Sequence, residues 1–285
     1  MQPLVSICCI TYNQAKYIRD AIEGFLMQKT TFPFEILIHD DASSDGTDRI
    51  IKEFELMYPN LIFPIYQSEN QYSKGVRRIL ATFVFHKCRG KYISICEGDD
   101  YWIDPFKLQK QVDFMEKNEE YSFCFHNAEN YYCDTGLSSH FNLKLKTGTY
   151  ITKDLLLKWI IPTASLFFRK QSLPNPIPDW YYSVITGDIA LELLLSKEGC
   201  FFYMDEIMCV YRRNSINSLS LNLPDLVLYQ EKLLYLYSCF FKNYKGNSFI
   251  AFYILARARY DLFKVKTYAR HPILEGLKNK IFNKK

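Results

Sequence analysis

The sequence contains no GxGxxG run, so a dinucleotide fold would lack its phosphate loop. It contains no GxxxxGK followed by Ser or Thr, which excludes a P-loop nucleotide site. Its nine cysteines include no CxxC pair. An odd number of thiols inside apolar runs, such as Cys8 and Cys9, excludes a disulfide framework and implies reduced, buried side chains in a cytoplasm. No stretch approaches the roughly 18 apolar residues of a membrane span. The nearest, residues 155–168, is interrupted by Lys158 and Pro162. The N-terminus has no basic region of the kind that opens a signal peptide. A formal net charge of +4 over 285 residues is too small to imply nucleic-acid binding. These absences lead us to expect a cytoplasmic protein, soluble or peripheral at the inner face of the plasma membrane.

What the chain does contain is globular in proportion, with 48% hydrophobic and 23% charged residues. Aromatic residues reach 16%, including 22 Tyr and 22 Phe. Tyrosine at this level fits either the rim of a large core or an amphipathic surface for a sugar or membrane face. Basic residues gather at the end, where Lys264, Lys266, Arg270, Lys278, Lys280, Lys284 and Lys285 stand against Glu275 alone. Such a tail suits either an anionic membrane surface or a solvated terminus. Cys124 and His126 share one strand face and would be half a zinc site, but no second ligand pair follows, so we assign them to core packing.

Periodicity predicts an alternation of strands and helices over the first 130 residues. Strands are expected at 4–10, 34–39, 61–66, 92–96 and 122–126. Helices are expected around Tyr17–Leu26, around Ile50–Tyr58 with Pro59 as the stop, over 78–88 with Gly90 as the close, and after Pro105. Strands separated by helices pair in parallel through right-handed crossovers, and ligands bind beyond the C-terminal ends of such strands. The second part is less regular, with helices expected at 153–160 and 189–195 and strands at 165–168 and 207–211. Two long helices are expected between Asp225 and Phe263, joined near Gly246.

Three polar clusters fall on that rim: Thr11-Tyr12-Asn13-Gln14, the run from Asp40 to Thr47, and Glu97-Gly98-Asp99-Asp100-Tyr101-Trp102. Asp99 and Asp100 repel a phosphate but can hold Mg²⁺ or Mn²⁺, hard cations that take one or two carboxylates plus substrate phosphates. The plainer reading of that pair is a polar turn feeding the next helix, and for Asp45 or Ser44 it is helix capping. Capping leaves Asp40 and Asp41 unexplained.

The run Val5-Ser6-Ile7 through Asn13, the run Asp40 to Thr47, and Gly90-Lys91-Tyr92-Ile93 through Gly98-Asp99-Asp100 resemble the family 2 glycosyltransferases of the GT-A fold. Order, spacing and residue types all match, and the resemblance covers roughly residues 4–215. It implies an α/β fold with a mostly parallel central sheet flanked by helices and a C-terminal helical extension. We divide the chain into a glycosyltransferase domain over 1–218 and C-terminal helices with the basic tail over 219–285. The domain comprises a nucleotide-sugar half, 1–130, and an acceptor half, 131–218.

The resemblance also implies roles. Thr11 and Asn13 would line the nucleotide pocket, and Asp41 would accept from the base, as uracil's N–H offers, which favours a UDP-sugar. Asp99 and Asp100 match the DxD-type element for ribose and metal. Glu97 stands where many members have the first Asp, with a longer side chain. Lys74 is a candidate for base or phosphates. Arg212, in Tyr211-Arg212-Arg213-Asn214, would face the diphosphate, and Asn214 takes the place of a frequent His. Asp188, in Thr186-Gly187-Asp188, fits the general base, with a helix N-cap as its alternative. Trp102 is expected either to stack on a sugar or to pack beside Pro105.

The implied activity is inverting, metal-assisted transfer of a hexose from a nucleotide-sugar to a hydroxyl. The acceptor would be a glycan or lipid-linked saccharide of surface polysaccharide synthesis. A non-catalytic nucleotide-sugar-binding scaffold is the alternative. A sugar-1-phosphate nucleotidyltransferase would need a glycine-rich loop after the first strand, and a processive synthase would carry membrane spans.

Overall fold

The computed structural model describes residues 2–184, 186–197, 199–215, 226–243 and 248–270. The chain opens with strand β1 (Val5–Thr11), helix α1 (Ile18–Leu26), β2 (Phe34–Asp40), α2 (Thr47–Met57) and β3 (Ile62–Tyr66). It continues through β4 (Tyr92–Glu97), β5 (Tyr101–Trp102), α3 (Lys107–Lys117), β6 (Tyr121–Tyr132), β7 (Ser138–His140), β8 (Gly148–Tyr150) and α4 (Thr152–Leu157). Strand β9 (Phe167–Arg169), α5 (Trp180–Ser183), α6 (Gly187–Leu195) and β10 (Cys200–Arg213) complete the sheet, and α7 (Leu226–Lys242) and α8 (Ser248–Arg270) follow it.

These strands form one sheet in the order β3-β2-β1-β4-β9-β6-β10-β5, with β7 on β6 and β8 on β10. The pairs β1–β2, β1–β4, β2–β3 and β6–β10 are parallel, and β9 runs antiparallel between β4 and β6. Neighbouring residues of a strand point to opposite faces. In β1, Val5, Ile7 and Cys9 enter one buried cluster with Phe25 of α1, Ile51 of α2 and Leu108 of α3. Cys8 enters the other with Leu156 of α4 and Leu191 and Leu194 of α6. Apolar residues on both faces therefore place helices on both sides of the sheet.

Two expectations are corrected by packing. Residues 78–88 form a π turn (Leu80–Val84) and a 3-10 turn (Phe85–Lys87), not an α-helix. The buried side chains there are Arg78, Ile79, Val84, Phe85 and Cys88. The five-residue step from Ile79 to Val84 suits an i→i+5 turn better than a 3.6-residue period. The helix expected to reach residue 160 ends at Leu157, because Lys158 is extended and sends Ile160 and Ile161 into the core. Short β5, β7 and β8 were not anticipated.

Helices α7 and α8 pack on each other and on the α6 side of the sheet. Leu236, Phe240 and Ile254 join the same core cluster as Leu191 and Leu194. Of the basic residues expected to form a tail, Lys266 pairs with Glu231 at 2.6 Å and the Lys264 ammonium lies 4.5 Å from the Tyr260 ring centre. Lys278, Lys280, Lys284 and Lys285 lie outside the described residues, as do Asp225 and Gly246.

Candidate active site

In this topology β1 has β2 on one side and β4 on the other, so the switch point at which a ligand crevice is expected lies above the β1–β4 pair. Ile10 stands opposite Glu97 in register, which brings the loops after β1 and β4 together. The Gly98 amide donates to the Ile10 carbonyl at 3.0 Å. A Cβ on Gly98 would lie 2.6 Å from the Gln14 side-chain oxygen and 2.9 Å from Thr11, so only glycine fits this approach.

The loops after β1 and β2 are laced into one unit. Asn13, at φ 52°, donates its amide to Ser43 Oγ and accepts the Ser44 amide on Oδ1, both at 2.8 Å. The Gln14 amide donates to Thr47 Oγ1 and the Ala15 amide to Asp45 Oδ2. Thr11 Oγ1 donates to Gln14 Oε1 at 2.8 Å. Asp41 accepts the Gln71 amide at 2.8 Å on one carboxylate oxygen and the Tyr72 amide at 3.0 Å on the other. That strap draws the loop after β3 over the end of the sheet. Thr11, Asn13 and Asp41 are thus neighbours on one rim, as the sequence predicts, but the Asp41 oxygens already serve the loop. Lys74 lies on the same loop, half exposed, and pairs with Glu69.

Across the crevice lies the acidic element. Asp99 is 8% exposed and Asp100 1%. Asp99 Oδ2 accepts from Ser215 Oγ at 2.7 Å, and Asp100 Oδ1 accepts the Arg212 amide at 2.8 Å. Asp100 Oδ2 is buried with no hydrogen-bond partner. Burial pushes the Asp100 carboxyl well up, with the charges of Asp99 and Glu97 adding to it. Burial also raises Glu97 to about 8, helped by Asp99 and Asp188. Arg212 donates Nη1 to the Asp99 carbonyl at 2.9 Å and pairs with Asp20 of α1. Its guanidinium carbon lies 4.3 Å from the Tyr101 ring centre. The Arg212 side chain therefore clamps the acidic turn to α1.

Those residues suit a divalent cation completed by a ligand. Crowded, buried carboxylates and an orphaned Asp100 oxygen are costly without a counter-charge. Among the described residues no group of three or more His, Cys, Asp or Glu is placed to hold a metal ion. One or two carboxylates plus substrate phosphates is the usual Mg²⁺ arrangement, so Asp99 and Asp100 fit such a site only together with a phosphate ligand.

The third wall is the start of α6. Thr186 is its N-cap residue but makes no side-chain cap bond, and Asp188 lies in the first turn, where its carboxylate accepts from the backbone amides of Asp188 and Ile189. Burial raises the Asp188 carboxyl, opposed by hydrogen bonds from the Ile189 amide and its own amide and by the charge of Arg78. Arg78 is 7% exposed and donates Nε to the Tyr181 carbonyl at 2.8 Å and Nη2 to the Val184 carbonyl. A Cβ on Gly187 would lie 2.9 Å from Arg78 Nη1, so the guanidinium is packed against the turn that presents Asp188. Arg78, Asp20 and Ser215 went unrecognised in the sequence, because nothing local marks them.

Other expectations resolve simply. Trp102 is 1% exposed, donates Nε1 to the Ala164 carbonyl at 2.9 Å, and has the buried Lys107 ammonium 3.9 Å from its ring centre. It is a packing residue, since no face is left for a sugar. Asn214, at φ 56°, donates to Asp134 at 3.0 Å. Cys124 and His126 are buried in β6.

Comparison with known proteins agrees with this arrangement. The model of glycosyl transferase family 2 matches residues 6–173. The chain belongs to glycosyl transferase family 2. An uncharacterised protein of Mycobacterium tuberculosis is 39% identical over 222 residues, 74% of this chain and 59% of the relative, so the chain spans little more than half of that protein. The putative teichuronic acid biosynthesis glycosyltransferase TuaG of Bacillus subtilis is 30% identical over 233 residues, covering 76% of this chain and 82% of the relative. S. aureus TarS, solved in complex with UDP-GlcNAc, superposes with a TM-score of 0.70 at 15% identity, over 91% of this chain and 72% of that one. The mannosyltransferase PcManGT of Pyrobaculum calidifontis, solved with GDP-Man and Mn²⁺, gives 0.63 at 14% identity, over 99% and 80%. The fold is that of the GT-A glycosyltransferases. No helix among the described residues is long and apolar enough to cross a membrane.

Proposed function

We propose that this glycosyltransferase moves a hexose from a nucleoside diphosphate sugar, UDP favoured, to a hydroxyl of a glycan or lipid-linked saccharide, with inversion. The observation that carries this reading is the placement of Asp188 in the first turn of a helix, close enough to Glu97 to raise its proton affinity. A base on one side of a crevice and an acidic element on the other suit displacement at a carbon held between them.

Asp188 takes the proton of the acceptor hydroxyl as that oxygen attacks the anomeric carbon. The leaving nucleoside diphosphate departs toward Asp99 and Asp100. Thr11, Asn13 and Asp41 shape the nucleotide pocket, and Lys74 is free to reach a phosphate by exchanging its exposed pair with Glu69, which costs little. Arg212 holds the acidic turn in place. Mn²⁺ or Mg²⁺ bound at Asp99 and Asp100 would neutralise the charge of the diphosphate. We assign the donor half to 1–130, the acceptor half to 131–218, and the C-terminal extension to 219–285. The similarity to TuaG supports an acceptor of surface polysaccharide synthesis, and we place the work at the cytoplasmic face of the membrane, where the basic tail would sit.

The test is release of UDP from UDP-hexoses with Mn²⁺, with and without a lipid-linked saccharide extract as acceptor. Acceptor-dependent release supports transfer. Tight nucleotide binding without release under any acceptor would favour a scaffold.

Arg78 gives a second test. Arg78→Met removes the cation beside Asp188, so the Asp188 carboxyl rises further. The acid limb of kcat should then move to higher pH by about one unit. Arg78→Lys keeps the charge and should restore the limb but not the full kcat, because one ammonium cannot bond both carbonyls in the same fork. A purely structural Arg78 would lower thermal stability and leave the limb where it was.

A further inference from the structure

Beside the acidic turn, on the acceptor side, four side chains form a box that the transfer mechanism does not use. Trp159 follows α4, Phe141 follows β7, and Tyr211 and Arg213 are alternate residues of β10 on one face of the strand. The Phe141 and Trp159 rings meet edge to face at 5.1 Å, and Tyr211 closes the box at 6.0 Å from Phe141 and 6.3 Å from Trp159. The Arg213 guanidinium carbon lies 4.7 Å from the Tyr211 ring centre and 5.8 Å from that of Trp159. All four residues are half-buried, so the box is neither core nor open surface.

Two polar features of the box are unspent. Trp159 Nε1 is buried with no hydrogen-bond partner. Arg213 bonds Asn130 Oδ1 through Nε at 3.3 Å, and its two terminal nitrogens form no hydrogen bond among the described residues. An unmatched indole N–H is costly, and Trp N–H groups usually find an acceptor when buried. A planar guanidinium stacked on rings keeps its outer donors aimed in a fixed fork. Between Tyr211 and Arg213 stands Arg212, whose amide donates to Asp100 Oδ1 at 2.8 Å, so the box adjoins the acidic turn.

We propose that Phe141, Trp159, Tyr211 and Arg213 form a carbohydrate subsite that holds a pyranose ring of the acceptor. The inference rests on the transferase reading above and specifies its acceptor side. A pyranose has an apolar C–H face that covers an aromatic ring, and equatorial hydroxyls at its edge that accept from an indole N–H and a guanidinium. The box offers both. A lipid chain would use the rings and leave the two donors unmatched, and a free phosphate would use Arg213 and leave the rings idle.

The test uses the full chain and the indole N–H signals of its three tryptophans in proton–nitrogen spectra. Trp159→Phe identifies the Trp159 signal by its loss. Methyl β-glucoside, methyl β-galactoside and methyl N-acetyl-β-glucosaminide are titrated separately to 100 mM, with glycerol as control, and UDP with Mn²⁺ is titrated in a parallel sample. The proposal expects at least one glycoside to shift the Trp159 signal saturably while the Trp102 and Trp180 signals stay in place. Arg213→Lys should weaken that binding about tenfold, and Trp159→Phe should raise the acceptor KM about tenfold with donor KM unchanged. If UDP binds but no glycoside moves the Trp159 signal, or glycerol moves it equally, the subsite is wrong and the donor reading stands. If neither sugars nor nucleotides bind, both readings fall.

Discussion

Asp188→Asn is expected to lower kcat by about 10²–10⁴-fold, the usual worth of a general base, while nucleotide affinity stays within twofold or so of wild type. Asparagine has nearly the same shape and cannot take a proton. The wild-type pH profile carries the same assignment. The Asp188 carboxyl is raised, chiefly by burial, and a base works only when deprotonated. Transfer should therefore fall as pH drops through that raised value, and the residual rate of the Asn variant should lack this limb. Stability must move the other way. A carboxyl whose folded pKa is raised contributes stability below its unfolded value and loses it as pH rises through the folded one. The Asn variant should accordingly melt no lower than wild type at neutral pH. A variant with near wild-type turnover would remove Asp188 from the reaction.

The second large effect is expected at Asp100. Asp100→Asn can keep the acceptor for the Arg212 amide on its carbonyl oxygen, so the turn should hold. It loses the charge of the orphaned oxygen. Stimulation by Mn²⁺ should vanish and turnover should fall about a hundredfold or more, given that a Lewis-acidic metal is worth several kcal/mol of charge stabilisation. Without metal the variant should be more stable than wild type, because the buried Asp100 carboxyl is pushed up by burial and by Asp99 and Glu97. Equal Mn²⁺ stimulation in the variant and wild type would move the metal away from Asp100.

Much of this site is legible in the chain itself, for local reasons. Val5 to Cys9 and Ile36 to Ile38 are buried on both faces, and such runs read as interior strands without any knowledge of partners. The polar runs that follow them, at Thr11, Asp40 and Glu97, fall on the rim because strand ends are local features. What the sequence hides is set by distance along the chain. Arg78 bonds carbonyls 103 and 106 residues away, Asp20 reaches Arg212 across 192 residues, and Ser215 reaches Asp99 across 116. No periodicity records such pairings. Trp102 is a residue for which the sequence leaves two roles open, and tertiary contacts select packing: the Ala164 carbonyl takes its N–H and Lys107 takes its face. The box around Trp159 was invisible because its rings come from three separate segments.

The proposed function requires a metal-dependent nucleoside diphosphate site on the rim between Asp41 and Asp100. It is tested most directly by melting the purified chain with UDP, GDP, dTDP and CMP, each with and without Mn²⁺. One diphosphate, UDP first, should raise the Tm at millimolar concentration only when Mn²⁺ is present, and Asp100→Asn should abolish the gain. No rise with any nucleotide, or a rise indifferent to Mn²⁺ and to Asp100, would contradict it.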